Sequence, residues 1–193
     1  MSFTDRLWNT IFNPDLAMRQ LTAEKPLGQS LVLYIAVLTF IMIINQGVVA
    51  LRPIEEALSL PAQYIWLLVC TGIILSLLGL FLGAGFLSLL SEIIYSRGNN
   101  MGLLVGLCFA VLPGLFGAVL QYVSMIIGLN WLGGTFSFIS IIWVIVLQII
   151  AVRAAFDLST GQALIIYFSP FFILALTAII FTGFILVSSL SLL

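Results

Sequence analysis

The sequence predicts an all-α, polytopic membrane protein: five transmembrane helices preceded by short N-terminal interfacial amphipathic helices. Three observations predict it. Of 193 residues, 63% are hydrophobic and only 7% charged, against about 25% charged in ordinary soluble domains, so a water-facing surface could not be covered. Five stretches reach the roughly 20 apolar residues that a helix needs to cross a bilayer. The ~10-residue segments of alternating polarity that mark a membrane β-barrel are missing from the pattern.

Residues 1–29 read as a cytoplasmic or interfacial helical segment, and residues 30–193 as the transmembrane domain. Phe3, Leu7, Trp8, Ile11 and Phe12 fall at helical spacing on one face, with Asp5, Arg6, Asn9 and Thr10 opposite. That is the pattern of a helix lying in the membrane interface, and it makes the five apolar residues candidate membrane anchors. Thr4 is the expected cap, with Phe3 packing on Trp8. A second short helix follows in "NPDLAMRQLTAEKP": Asn13 suits the N-cap, Pro14 the first turn, and Asp15 the positive end of the helix dipole. Pro26 and Gly28 are expected to end it and turn the chain into the first span. The segment has neither an uninterrupted apolar run nor a small-residue cleavage site, so it reads as structure and not as a signal peptide.

The spans are expected at about 30–51, 65–90, 103–129, 136–156 and 163–190, joined by connectors too short to hold a second domain. Pro61 suits the opening turn of the second span. Tyr64, Trp66 and, in the third connector, Trp131 belong at headgroup level. Ser159 followed by Gln162 is a capping box, which places the start of the fifth helix near Thr160. Pro113 with Gly114, and Pro170 after Ser169, each interrupt the backbone ladder of a span and are expected to kink the third and fifth helices.

Orientation follows from the basic residues. With the N-terminus cytoplasmic, Arg6, Arg19, Lys25, Arg97 and Arg153 lie inside and only Arg52 outside, as the positive-inside rule requires. An odd number of spans then puts the C-terminus outside. The expected location is the cytoplasmic (inner) membrane, crossed several times.

Composition also bounds the chemistry. The formal charge of −1 offers no basic stripe for nucleic acid. There is no histidine, the commonest general acid/base and metal ligand, and no Asp, Glu, Lys or Arg falls mid-span to serve a proton relay. An enzyme is therefore not expected, and no metal or other cofactor is implied. Cys70 and Cys108 sit in different apolar runs, separated along the membrane normal by roughly 10 Å, too far for a disulfide; they read as packing residues.

Two further groups of residues are candidates for contact with partners. Gly72, Ser76, Gly79 and Gly83 leave one face of the second span nearly bare, which suits either a partner or homo-oligomer interface or packing inside the bundle. Arg19, Lys25, Glu92, Arg97, Arg153 and Asp157, with Glu24, gather at the inner face as a candidate docking surface; the plainer reading is snorkelling and topology marking. Arg153 and Asp157 are four apart on one helix and could pair. Asn45, Gln46, Gln121 and Gln148 are the amides within the spans. The first three fall at similar depth, where they could line a polar cavity or form interhelical hydrogen bonds worth about 0.6 kcal/mol each.

The third to fifth spans carry "MGLLVGLCFAVLPGLFGAVL" and then "IIWVIVLQIIAVRAAFDLSTGQALIIYFSPFFI". With the proline midway through the third span (Pro113), Trp143 in the fourth, the polar turn into Gln162 to Leu164, and the Asn13-Pro14 start, the chain resembles the Yip-one domain family of five-span membrane proteins in its compact bacterial form. The resemblance implies five helices, a cytoplasmic N-terminus and an outer C-terminus. Eukaryotic relatives are partners of Rab-type GTPases and factors in vesicle traffic. Their long cytosolic region and Asp-Leu-Tyr-Gly-Pro motif are not found in these residues, so GTPase binding is not carried over. The resulting expectation is a non-enzymatic membrane adaptor or scaffold whose partners are the lipid bilayer and either another membrane protein or further copies of itself. The alternative is a carrier or channel for a lipid or a small neutral solute through the kinked third and fifth helices.

Overall fold

The structure is a computed structural model that describes residues 2–50 and 64–190, with side chains to Val49 and from Tyr64 to Thr182. The expected roles of Leu51, Arg52 and Pro61, and the C-terminal Ser191 to Leu193, lie outside the described residues. Eight helices follow one another among the described residues: α1 Phe3–Phe12, α2 Pro14–Glu24, α3 Leu27–Ala50, α4 Ile65–Tyr95, α5 Asn100–Ala110, α6 Leu112–Ile126, α7 Asn130–Phe156 and α8 Thr160–Leu190. Among the described residues there is no strand, and five helical segments are long and apolar enough to cross a membrane, α5 and α6 together making the third. The protein is an all-α, multi-pass membrane protein.

Local chemistry explains where these boundaries fall. The first helix is capped by Ser2 and not by Thr4: the Ser2 hydroxyl accepts the Asp5 N–H at 3.2 Å and the Asp5 carboxylate accepts the Ser2 N–H at 3.2 Å, a closed capping box. With Phe3 already inside α1, Trp8 stacks on Phe12, with ring centroids 4.2 Å apart. Asn13 caps α2 by position, with Pro14 at its first turn, but its side chain makes no capping bond. Lys25 ends α2 in the left-handed conformation, so Pro26 and Gly28 do not have to: α3 begins at Leu27 and Gly28 lies within it. The fourth span starts at Asn130, which draws Trp131 into its first turn, and the second runs on to Tyr95. Where the capping box was expected, Gln162 Oε1 accepts the Ser159 N–H at 3.0 Å and the Ser159 hydroxyl accepts the Gln162 N–H at 3.4 Å, and α8 begins at Thr160.

At Val111 the third span breaks, one residue before Leu112-Pro113, because proline has no N–H to continue the ladder of α5. The carbonyl of Pro113 instead accepts a hydrogen bond from the Ser140 hydroxyl of α7. By contrast, the helix continues through Pro170 in α8. Gly128, at φ 80°, turns the chain from α6 into α7, a conformation that a Cβ would disfavour.

The core is built around α5. Every residue from Gly102 to Ala110 is buried, wrapped by α2, α3, α4 and α7. Lipid is as apolar as leucine, so these helices gain little from leaving lipid, and close van der Waals contact has to hold them together. Glycines in the third span provide it. A Cβ on Gly106 would stand 2.9 Å from Ala151 Cβ, and one on Gly102 would stand 2.8 Å from the Thr22 carbonyl oxygen. Short α2 belongs to this core: Met18 and Leu21 are buried with Val105, Phe109, Leu147 and Ala151. Farther along, the outer parts of α4 and α8 stand apart from the core, and every residue of α8 from Phe171 to Thr182 is exposed.

Candidate functional site

Polar chemistry concentrates at the end of the bundle where α3, α5 and α8 begin and α4 and α7 end, the end that α1 and α2 cover. We refer to it as the collar end. Arg6 on α1 donates from Nη2 to the Glu24 carboxylate at 2.6 Å and from Nη1 to Gln29 Oε1 at 2.6 Å, tying α1 to the end of α2 and the start of α3. Asp15 on α2 pairs with Arg153 on α7, whose other nitrogen donates to the Thr160 hydroxyl of α8 at 3.2 Å. Arg97, in the turn before α5, donates to the Asp157 carbonyl and stands 3.4 Å from its carboxylate. Arg153 and Asp157 therefore do not pair with each other along the helix: α7 ends at Phe156, Asp157 turns off in the left-handed conformation, and each side chain finds a partner distant in sequence.

Asn99 joins the same end. Its Oδ1 accepts the Gly102 N–H at 3.1 Å, capping α5, and its Nδ2 reaches the Thr22 carbonyl at 3.5 Å. Between α2, the α5 start and the α7 end lies a cavity of about 310 Å³, lined by Arg19, Thr22, Asn99, Arg153, Asp157 and Leu158 among others. Arg19 and Lys25 are exposed, and their side chains have no hydrogen bond or ion pair among the described residues. Of the residues expected at the docking surface, Arg19, Arg153 and Asp157 share this cavity, and Arg97 joins them through Asp157. Lys25 and Glu92 are exposed nearby on the ends of α2 and α4 and do not line it.

The expected anchor face of α1 splits. Phe3, Trp8 and Phe12 are exposed, whereas Leu7 and Ile11 are half-buried and Leu7 packs on the core. Thr10, on the side expected to face water, is buried, and its hydroxyl donates to the Arg6 carbonyl at 2.7 Å. The covering of α1 is thus partly protein. Ile11 and Phe12 also border an apolar groove of about 300 Å³ with Pro113, Phe116 and Trp143.

On the second span the small-residue stripe divides as well. Gly72 lies under Met42 of α3, and the Ser76 carbonyl accepts the Tyr34 hydroxyl at 3.4 Å. Gly79 and Gly83 meet nothing where a Cβ would be; they open onto a groove of about 300 Å³ shared with Gln148 and Tyr167, whose hydroxyl donates to Gln148 Oε1 at 2.5 Å. Asn45 and Gln121 border a different groove, with Ser137 donating to Gln121 Oε1 at 3.1 Å; Gln46 does not line it. Gly102, Gly106 and Gly117 make further close contacts in the bundle. The first two form a small-xxx-small pair in "GLLVG", a spacing signal that sequence reading could have used.

Among the described residues no group of three or more His, Cys, Asp and Glu side chains is placed to hold a metal ion. The family model of the Yip1 domain matches residues 8–182. The chain belongs to the Yip1 domain family. No curated protein and no solved structure matches it. The matched range starts inside α1 and takes in all of α2 and the five spans into α8, so the Yip1 domain here includes the docked collar as well as the bundle.

Proposed function

We propose that this Yip1 domain protein is a non-enzymatic adaptor or scaffold of the cytoplasmic (inner) membrane, with its N-terminus inside and its C-terminus outside, binding another membrane protein or further copies of itself. The observation that carries the reading is the outer part of α8. From Phe171 to Thr182 all twelve residues are exposed, and they include Phe171, Phe172, Leu174, Leu176, Ile179 and Ile180. A span with no protein neighbour on any side is free to receive one. The outer part of α4 exposes Trp66, Leu67, Ile74 and Leu75 on one side, while Val69 is buried and Gly72 and Ser76 meet α3 on the other. The orientation rests on the five basic residues at the collar end against Arg52 elsewhere. The absence of histidine and of mid-span charge supports a binding role over a chemical one. The filled centre, with α5 buried on all sides by apolar groups, weighs against a channel along the bundle axis.

A photo-crosslinking residue at Phe172 tests this in native membranes, with the same residue at the buried Leu104 as control. The expected result is a protein adduct of one discrete mass from position 172 and none from position 104. Adducts to lipid alone from position 172, with the chain recovered only as a single copy, would contradict it.

A further inference from the structure

The cavity at the collar end has features that a docking role does not require. It is polar, it lies level with the ends of the apolar spans, and its guanidinium groups are unevenly matched. Arg97 is engaged by Asp157 and Arg153 by Asp15, which leaves Arg19 as the one cation lining the cavity that has no partner among the described residues. Arg153 is held by Asp15 and Thr160 with a quarter of its side chain still accessible, so it can reach a second acceptor without moving far. Asn99 lines the wall and caps α5, whose first N–H groups add the positive end of a helix dipole. Two arginines on one cavity wall, against the single acid Asp157 that Arg97 engages, form an environment for a phosphate, which takes charge-assisted hydrogen bonds from arginine in a fork geometry.

We propose that this cavity binds a phosphate group carried by an anionic phospholipid, with Arg19 as its principal contact and Arg153 as the second. The volume of about 310 Å³ accommodates a phosphate with its glycerol linkage. The acyl chains would leave along the flanks of α2 and α7, past Ala23 and Ala154. Basic pockets between spans at the membrane surface suit such headgroups. This inference does not rest on the adaptor reading, because the cavity is formed within one chain.

The test uses the full chain in an uncharged detergent, titrated with phosphatidylglycerol, with diacylglycerol as the phosphate-free arm and inorganic phosphate as the lipid-free arm, and with bound ligand counted by native mass spectrometry. One phosphatidylglycerol per chain is expected, with no retained diacylglycerol. Arg19→Ala should weaken it about tenfold, the loss of one charge-assisted hydrogen bond. Lys25→Ala, equally exposed and unpaired but outside the cavity, should change it less than about twofold. The Arg19 side chain makes no hydrogen bond or ion pair among the described residues, so its removal should leave the fold intact, which an unchanged elution profile checks. Equal losses in the two variants, or retention of diacylglycerol equal to that of phosphatidylglycerol, would overturn the proposal. Inorganic phosphate binding as tightly as the lipid would keep the phosphate chemistry and overturn the lipid as its source.

Discussion

Gly79 and Gly106 look alike in the sequence, each a glycine in an apolar helix with another small residue four positions away. Their surroundings differ completely. A methyl group at Gly79 enters open space, whereas at Gly106 it meets Ala151 at 2.9 Å and has the Met18 sulfur at 3.7 Å behind it. Gly106→Ala should therefore cost about 1–3 kcal/mol, as overpacking of a filled site does, while Gly79→Ala should stay within about 0.5 kcal/mol. Thermal unfolding in detergent distinguishes the two. Spacing showed that some glycine face is used for packing, but the choice of face depends on which helix lies opposite, and one helix's sequence does not contain that. The cysteines follow the same logic: Cys70 lies on the outside of its span and Cys108 is buried in the core, which spacing within either helix does not tell. At the chain start, Asp5 has its carboxyl held below the usual range by hydrogen bonding with Ser2, first the side-chain bond and then the backbone one. A lowered folded value means that the cap's contribution is complete above the ordinary carboxylate range and fades as the pH falls through it. α1 should fray in acid below about pH 4 and Asp5→Asn should remove that dependence, as amide exchange at the α1 backbone would record.

At the scale of elements, the span cores were readable and their ends were not. Apolar runs of more than 20 residues admit one reading in a membrane protein, but the cap that closes each helix depends on single side chains. Ser159 with Gln162 declared itself because both members of the box are in the sequence at the right spacing. The start of α3 did not, because Lys25, a residue with no glycine-like preference, takes the left-handed conformation at φ 51°. Ser96, at φ 54° after α4, does the same. Such positions cost roughly 1 kcal/mol in a residue with a Cβ, so Ser96→Gly should raise stability by about that amount in chemical unfolding. The collar is the larger lesson. An amphipathic pattern says that a helix has an apolar side to cover and not whether lipid or protein covers it. In α1 the cover is divided, and in α2 it is protein: Met18 is fully buried against the core. Met18→Ala should cost about 2–5 kcal/mol, the range for a buried large side chain, where a helix resting only on lipid would lose almost nothing.

Across the whole molecule, a tight half meets a loose one. The collar end is fastened by Arg6 to Glu24 between α1 and α2, Asp15 to Arg153 between α2 and α7, and Arg97 to Asp157 between the turns that follow α4 and α7. Ion pairs near a surface contribute little to stability individually; the second of them fixes α2 against the end of α7, which shapes the phosphate cavity. Among the described residues the opposite end shows no such ion pair, and α8 from Phe171 to Thr182 presents apolar surface on every side. Composition and the apolar runs made the five-span plan legible. Where the bundle would be left open was not legible, because the spans are about equally apolar and only the three-dimensional arrangement leaves the outer part of α8 exposed on every side. If that open stretch receives a partner, the protein should not be recovered alone from its membrane. Extraction directly into polymer-bounded native discs, followed by mass measurement of the intact particle, tests this most directly. The account predicts particles holding the chain with a fixed number of further protein chains, the association being lost when polar residues replace Phe172 and Leu176; discs that hold one chain and lipid only, with or without those replacements, would contradict it.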